Sequence, residues 1–325
     1  MKAVLVSQDT KLYIGDAPKP NCSENELLVK VKATALNRAD LLQKRGHYPP
    51  PIGASPILGL EMSGVVEEVG TSVKDWKIGD RVHALLPGGG YAQYAAIPAG
   101  MAMRIPDAFS FEEAAAIPEV YLTAYLNMFR LGGLKEGQTV LIHAGASGVG
   151  TAAIQLAKEA KARVIVTAGS QDKREFCLSL GADIAIDYKA GSFVDKLKEA
   201  TDGKGVNLIL DFIGASYWEQ NIASLDIDGR LILIGTMGGS KIQNVDLGPF
   251  LFKRIQVIGT ALRSQSVDQK IDLTRSFSEF AAPRFEDGRL KPIVDSVWDW
   301  EEANEAHALM EQNKNIGKII LRVQS

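Results

Sequence analysis

The sequence predicts an α/β chain in which a doubly wound parallel sheet is inserted into a strand-rich, barrel-like domain. Three observations carry this. Residues 139–150 run from an apolar stretch through a glycine turn into a helix. From there strands and helices alternate to residue 259. Residues 1–120, by contrast, carry strand runs between Gly, Pro and Asp punctuation, with one short helical signal.

In that first stretch the strands are Leu27–Val31, Gly64–Val69 and Arg81–Leu86, and the helical signal is Asn37–Lys44. Pro49–Pro51 and Gly88–Gly90 mark loops. Ser110 followed by Glu112 and Glu113 reads as a helix N-cap, opening two helical stretches over 111–130 that break at Pro118.

The glycine turn is the organising element. Val140, Leu141 and Ile142 form a short apolar run, as a buried parallel strand would. Ala153, Leu156, Ala157 and Ala160 then recur at helical spacing. Between them Gly145, Ala146, Ser147, Gly148, Val149 and Gly150 form a predicted pyrophosphate cradle. Glycine admits the phosphates close to the backbone, and the unpaired N–H groups of a helix start face their charge. Ser147 stands where the usual motif has its second glycine; its N–H and hydroxyl still donate.

Further strands are expected at Arg163–Thr167, Asp183–Asp187, Asn207–Phe212, Arg230–Ile234 and Ile255–Gly259, with helices at Asp172–Leu180, Phe193–Ala200 and Ser216–Leu225 between them. Parallel strands need such crossovers, and six of them behind a glycine turn predict a dinucleotide fold. The tail breaks the alternation: helix Val267–Phe280, strand Val294–Trp298, helix Glu301–Glu311, strand Gly317–Val323. It is expected to return to the first domain, giving domains of 1–120 with 265–325, and 121–264.

At 325 residues, 46% hydrophobic and 23% charged, the chain can bury two cores. A net charge of −3 without a basic cluster argues against nucleic acid. Cys22 and Cys177 have no metal or redox spacing, and no apolar run approaches the roughly 20 residues of a membrane span. The expectation is a cytoplasmic protein.

The end of the second alternating strand distinguishes NAD from NADP. An acid there would hold the ribose 2′-hydroxyl. The chain instead has Gly169-Ser170, then Lys173 and Arg174, while Asp172 reads as a cap of the next helix. Ser170 and Lys173 suit a 2′-phosphate, which predicts NADPH; Arg174 is less clearly aimed.

Ala35–Asp40, Gly46–Pro51, Ile57–Gly64, Trp76–Asp80, Leu85–Gly90, His143–Gly150 and Asn313–Lys318 together resemble the zinc-free quinone oxidoreductases of the medium-chain dehydrogenase/reductase superfamily, above all the stress-inducible NADPH:quinone oxidoreductases. The resemblance spans essentially the whole chain. It implies a GroES-like first domain, a Rossmann second domain, NADPH as donor, a quinone as acceptor and a homodimer. Zinc members of that superfamily carry Gly-His-Glu where this chain has Gly59-Leu60-Glu61, and a cysteine at the position of Asn37. With those ligands gone no metal is expected, and hydride delivery to a quinone or enone replaces alcohol oxidation.

The resemblance also implies site residues. Tyr48 would donate to the acceptor oxygen or position the ring. Asn37 would supply an amide or a structural hydrogen bond, Asp40 a link to Arg38 or backbone, and Ser147 a nicotinamide contact or the closure of its turn. Thr123 would approach the nicotinamide and Tyr188 the adenosine. Phe212, Ile213, Gly235 and Met237 end strands, where such sheets bind ligands. Leu262, Arg263 and Ser264 follow the last strand, and Asn315 and Lys318 complete the cofactor set. An enal or enone double-bond reductase, and a nucleotide-bound structural or regulatory protein, are the alternatives.

Overall fold

The computed structural model describes residues 1–324. The chain divides into two compact units, Met1–Leu122 with the chain from Arg263 onward, and Thr123–Leu262. Among the described residues no helix is long and apolar enough to cross a membrane.

The first unit opens with an antiparallel hairpin, β1 (Lys2–Val6) and β2 (Leu12–Asp16), in addition to the predicted strands. Each strand is short, and in β2 only Leu12 is buried, so no alternation advertises it. β3 (Glu26–Ala35) continues past the predicted Val31 because β4 (Glu61–Val69), β6 (Tyr94–Pro98) and β15 (Lys318–Arg322) all pair along it. α1 (Arg38–Lys44) lies between β3 and β4, with Asn37 at its N-cap. β5 (Arg81–Leu85), β6 (Tyr94–Pro98) and β7 (Ala102–Arg104) follow.

Ser110 caps α2 (Phe111–Ala115) through a reciprocal pair, Glu113 N to Ser110 Oγ at 3.1 Å and Ser110 N to Glu113 Oε2 at 2.8 Å. The two helical stretches are separated at Pro118 as expected: α2 ends at Ala115, and Pro118 is the first residue of α3 (Pro118–Tyr125), where a missing N–H costs nothing. A π-helical turn, Leu126–Leu131, leads into the second unit's sheet.

That unit runs β8 (Thr139–Ile142), α4 (Gly148–Glu159), β9 (Arg163–Ala168), α5 (Gln171–Ser179), β10 (Ile184–Asp187), α6 (Val194–Ala200), β11 (Val206–Asp211), α7 (Trp218–Ser224), β12 (Leu225–Leu233), α8 (Gly248–Phe252) and β13 (Gln256–Gly259). The six strands form one parallel sheet in the order β10-β9-β8-β11-β12-β13. Val140, Leu141, Ile142, Val164, Ile165, Val166, Ile209 and Leu210 are fully buried, as strands covered on both faces require. The order reverses between β8 and β11, and ligands enter such sheets outside the strand ends at that reversal.

The tail rejoins the first unit. α9 (Val267–Glu286), β14 (Val294–Asp299), α10 (Ala303–Glu311) and β15 (Lys318–Arg322) follow, with β15 antiparallel to β3 and parallel to β14. The first unit's main sheet is ordered β14-β15-β3-β4-β5-β7, with β6 also on β3. α9 outruns the predicted Phe280 and carries Pro283 inside it. Its last turns are held by aromatic packing, Tyr121 against Phe285 at 5.2 Å between ring centroids.

Candidate functional site

In the second unit, the turn after β8 is shaped by its own hydrogen bonds. Gly145 N donates to Thr167 O at 3.0 Å and Ser147 N to Ala144 O at 2.9 Å. Ser147 is the N-cap of α4, and its Oγ accepts from Gly150 N at 3.1 Å. This is why serine is accepted at a glycine position: the hydroxyl closes the turn. The amides of Gly148 and Val149 begin α4, where a helix has no internal acceptor for them, so they remain for an anion. A Cβ on Gly150 would lie 2.4 Å from Ala144 O, so only glycine lets α4 pack this close to β8.

Below the turn lies a buried chain of polar groups that the sequence did not disclose. His143 Nδ1 is 3.0 Å from Thr167 Oγ1 and its Nε2 2.7 Å from Asn221 Oδ1. Asn221 Nδ2 donates to Asp211 Oδ2 at 3.1 Å, and Asp211 Oδ1 accepts from Ile213 N at 2.7 Å. Asn221 thereby fixes the imidazole as the Nε2–H tautomer, with Nδ1 accepting from the threonine. Burial pushes His143 down to about 4, so it is neutral. The network ties the carboxyl ends of β8, β9 and β11 to α7.

At the tip of β9, Ser170 is the N-cap of α5 and accepts from Lys173 N at 3.3 Å. Asp172, expected to cap, lies in the first helical turn instead. Arg174 pairs with Asp187 at 2.8 Å, which directs it to the end of β10. A Cβ on Gly169 would meet Tyr188 Oη at 2.7 Å, so the tyrosine hydroxyl lies over the strand tip, on a ring that is 41% exposed. The structure thus gathers Ser170, Lys173 and Tyr188 at one edge.

The loops after β11 and β12 run side by side. Met237 N donates to Phe212 O at 3.1 Å and Gly238 N to Ile213 O at 2.7 Å, bringing Phe212, Ile213, Gly235 and Met237 together. Thr123 and Leu262 are buried at the two ends of this unit; Thr123 O accepts from Asn127 Nδ2 at 2.8 Å.

In the first unit, Arg263 lies on a short turn with Ser264 and is 7% exposed. Its guanidinium donates to Gln43 Oε1 at 2.6 Å, to Pro87 O at 2.7 and 3.0 Å, and to Tyr48 O at 3.4 Å. It also lies 5.0 Å from the centre of the Tyr48 ring. The expected ligand-holding arginine is therefore a clamp on the Tyr48 loop. The Tyr48 hydroxyl makes no hydrogen bond among the described residues, and burial raises its pKa against the opposing pull of Arg263.

A buried ion pair lies beneath α1. Lys318 Nζ reaches Glu61 Oε1 at 2.8 Å, Asn37 Oδ1 at 2.7 Å and Leu36 O at 2.6 Å, which accounts for its three protons. Asn37 Nδ2 donates to Glu61 Oε1 at 2.8 Å, and Glu119 N to Glu61 Oε2 at 2.8 Å. Two expectations change here. Asn37 offers no free amide, because both ends are held inward. Lys318 is 4% exposed and its three protons are taken up by Glu61, Asn37 and Leu36, so it has no free donor to offer. Asn315 is half-buried and bonds within its own loop, donating from Nδ2 to Gly317 O at 2.8 Å. Asp40 accepts from Asn37 N at 2.8 Å and Gly59 N at 3.0 Å rather than from Arg38, which bonds Asn313. Its burial raises it to about 6.

The zinc positions singled out above do not fit a metal. Leu60 is apolar and 2% exposed, and Asn37 is committed. Among the described residues no group of three or more His, Cys, Asp or Glu could hold an ion.

Two family models match: the alcohol dehydrogenase GroES-like domain over residues 23–107 and the zinc-binding dehydrogenase over residues 148–276. The synaptic vesicle membrane protein VAT-1 homolog of Mus musculus is 32% identical over 96% of this chain and 80% of its own length. The structure of Escherichia coli quinone oxidoreductase complexed with NADPH is 30% identical, with a TM-score of 0.86 and 99% of each chain covered. CurK enoyl reductase is 27% identical, with a TM-score of 0.88 and 99% of each chain covered. With the barrel-like unit, the parallel sheet and the glycine turn in place, the chain belongs to the medium-chain dehydrogenase/reductase superfamily, among relatives that include quinone oxidoreductases.

Proposed function

We propose that this oxidoreductase uses NADPH to reduce quinones without a metal. The observation that carries the reading is the exchange at the acceptor side. The superfamily's zinc positions are Asn37, locked to Glu61 and Lys318, and the buried Leu60, while nearby Tyr48 keeps an unpartnered hydroxyl on a loop clamped by Arg263. A phenol donor replaces a Lewis acid in stabilising charge on the acceptor oxygen.

NADPH supplies the hydride when bound. The Gly148 and Val149 amides receive the pyrophosphate, and Ser170 with Lys173 receives the 2′-phosphate, with Tyr188 beside the adenosine. The paired loops at 212–214 and 235–238, with Thr123, border the nicotinamide end. Ser147 closes its turn, and Asn37, Lys318 and Arg263 orient rather than touch. The NADPH-bound Escherichia coli neighbour supports the choice of nucleotide.

CurK enoyl reductase, as close in fold, favours a second reading: reduction of an enone or enal double bond by the same donor. Steady-state oxidation of NADPH and NADH against 1,2-naphthoquinone, 1,4-benzoquinone and a simple enal tests both. Turnover with quinones and NADPH is expected. Turnover confined to the enal selects the second reading, and binding without turnover on any acceptor leaves a nucleotide-bound regulatory protein.

We further infer a cytoplasmic homodimer. Free Cys22 and Cys177 support a reducing compartment. β13 is a sheet edge, and α8 just before it exposes Leu251 and Phe252 at 73% and 79%.

A further inference from the structure

Glu119, the second residue of α3, serves Glu61 through its backbone, but its side chain belongs to no hydrogen bond or ion pair among the described residues. It is nonetheless enclosed by charge. Glu61 on β4, Lys318 on β15, Asp40 on α1 and Arg263 on the turn before α9 all act on it. Its own charge is felt at Tyr48, Arg263 and Lys270.

The nearby cations are already engaged. All three protons of Lys318 go to Glu61, Asn37 and Leu36, Arg263 is held by Gln43, Pro87 and Tyr48, and Lys270 donates to Arg263 O at 2.7 Å. Both oxygens of Glu61 are occupied, Oε1 by Lys318 and Asn37 and Oε2 by Glu119 N. A second carboxylate beside it meets the charge of Glu61 and has no ion pair among the described residues, so burial and repulsion favour the neutral acid at Glu119 over the pull of Lys318 and Arg263.

We propose that Glu119 is the proton donor of the reaction, a carboxylic acid that protonates the acceptor oxygen as the hydride arrives. This rests on the quinone- or enone-reductase reading above. The hydride brings the electron pair and leaves the acceptor a monoanion. The O–H bond of Glu119 breaks, a new O–H bond forms on the acceptor, and the carboxylate regains its proton from water. One NADPH, one proton and one quinone give NADP⁺ and the hydroquinone. Tyr48, the other hydroxyl on this side, is the poorer acid because burial raises a phenol that is already weak. Desolvation and the charge of Glu61 raise Glu119 to about 8, which keeps the acid loaded at neutral pH and gives it up readily.

The test is Glu119→Gln, which keeps the backbone bond to Glu61 and cannot donate a proton. In the wild type kcat should fall as pH rises through about 8. In the variant kcat should be about 100-fold lower and lack that limb, with NADPH affinity unchanged. Infrared pH titration of the protein without nucleotide gives a readout independent of turnover: a carboxylic-acid carbonyl band should disappear near the same pH in wild type and be absent from Glu119→Gln. No such band, or unchanged kcat and pH limb in the variant, overturns the donor role. If the band titrates as expected but wild type reduces no acceptor, the functional reading fails and takes the donor role with it.

Discussion

His143 donates from Nε2 to Asn221 Oδ1 at 2.7 Å, a direction set by the asparagine's own gift of Nδ2 to Asp211. The imidazole is held neutral and its pKa is depressed to about 4. The folded state therefore binds fewer protons than the unfolded chain between about 4 and 6.5, and His143 withdraws stability as pH falls through that window. At pH 5 its share is about 2 kcal/mol. In His143→Gln, the plot of unfolding free energy against pH from denaturant titrations should be shallower by up to one bound proton across that interval.

Asn221 is the hinge of the same network. Asn221→Leu removes the acceptor for His143 and a donor to Asp211, leaving both buried groups short of a partner. A loss of about 2–4 kcal/mol is expected by chemical denaturation. Weaker NADPH binding should accompany it, since Asp211 also holds the amide of Ile213.

Ser170→Asp with Lys173→Ala should reverse nucleotide preference. Aspartate can still cap α5 as Ser170 does, so the melting temperature should change little. The carboxylate repels a 2′-phosphate and accepts from a 2′-hydroxyl. Fluorescence titration should show NADPH affinity falling by at least about 10-fold relative to NADH. An unchanged ratio would move the 2′-phosphate away from these residues.

Tyr48→Phe should lower quinone kcat by about 10–100-fold with NADPH affinity intact, because a single donor to a developing oxyanion is removed. Arg263→Lys should give a smaller loss of the same kind. An ammonium cannot reproduce the fork that holds Pro87, Gln43 and the Tyr48 carbonyl. Equal turnover in Tyr48→Phe and wild type would leave Tyr48 a scaffold residue.

Lys318→Met strands Glu61 in a site where the carboxylate is fully buried. A cost of about 3–5 kcal/mol is expected, much of it recovered in the double variant with Glu61→Gln. If Lys318→Met instead weakened NADPH binding without lowering stability, Lys318 would be a ligand contact after all.

Phe252→Glu places a charge on the exposed apolar end of α8, just before β13. If this edge joins two copies, light scattering behind gel filtration should shift from a dimer mass to a monomer mass at micromolar concentration.

Much was determined by sequence alone, because it is local. The apolar run and glycines of 139–150 dictate a strand, a tight turn and a helix start through backbone sterics and the pairing of a few neighbouring amides. The alternation behind them dictates a parallel sheet, since each parallel strand needs a crossover. The placement of Ser170 and Lys173 at the tip of β9 was legible for the same reason, since they follow a predictable strand end. Even the helix starts at Ser110 and Asn37 follow from short-range capping.

What tertiary structure decided is which polar groups face one another. Asn37 and Lys318 are far apart in sequence, as are His143 and Asn221, and no spacing rule couples such pairs. Only folding shows that Asn37 and Arg263 turn inward while Tyr48 keeps its hydroxyl unpartnered. The same is true of Pro283, which lies inside helix α9 two residues before Phe285, whose ring packs on Tyr121 from a distant part of the chain. Glu119 carried no signal in the sequence. Its character as a neutral acid arises from burial and from Glu61 on β4, which outweigh the opposing charge of Lys318 on β15, because desolvation and charge act through space and not along the chain.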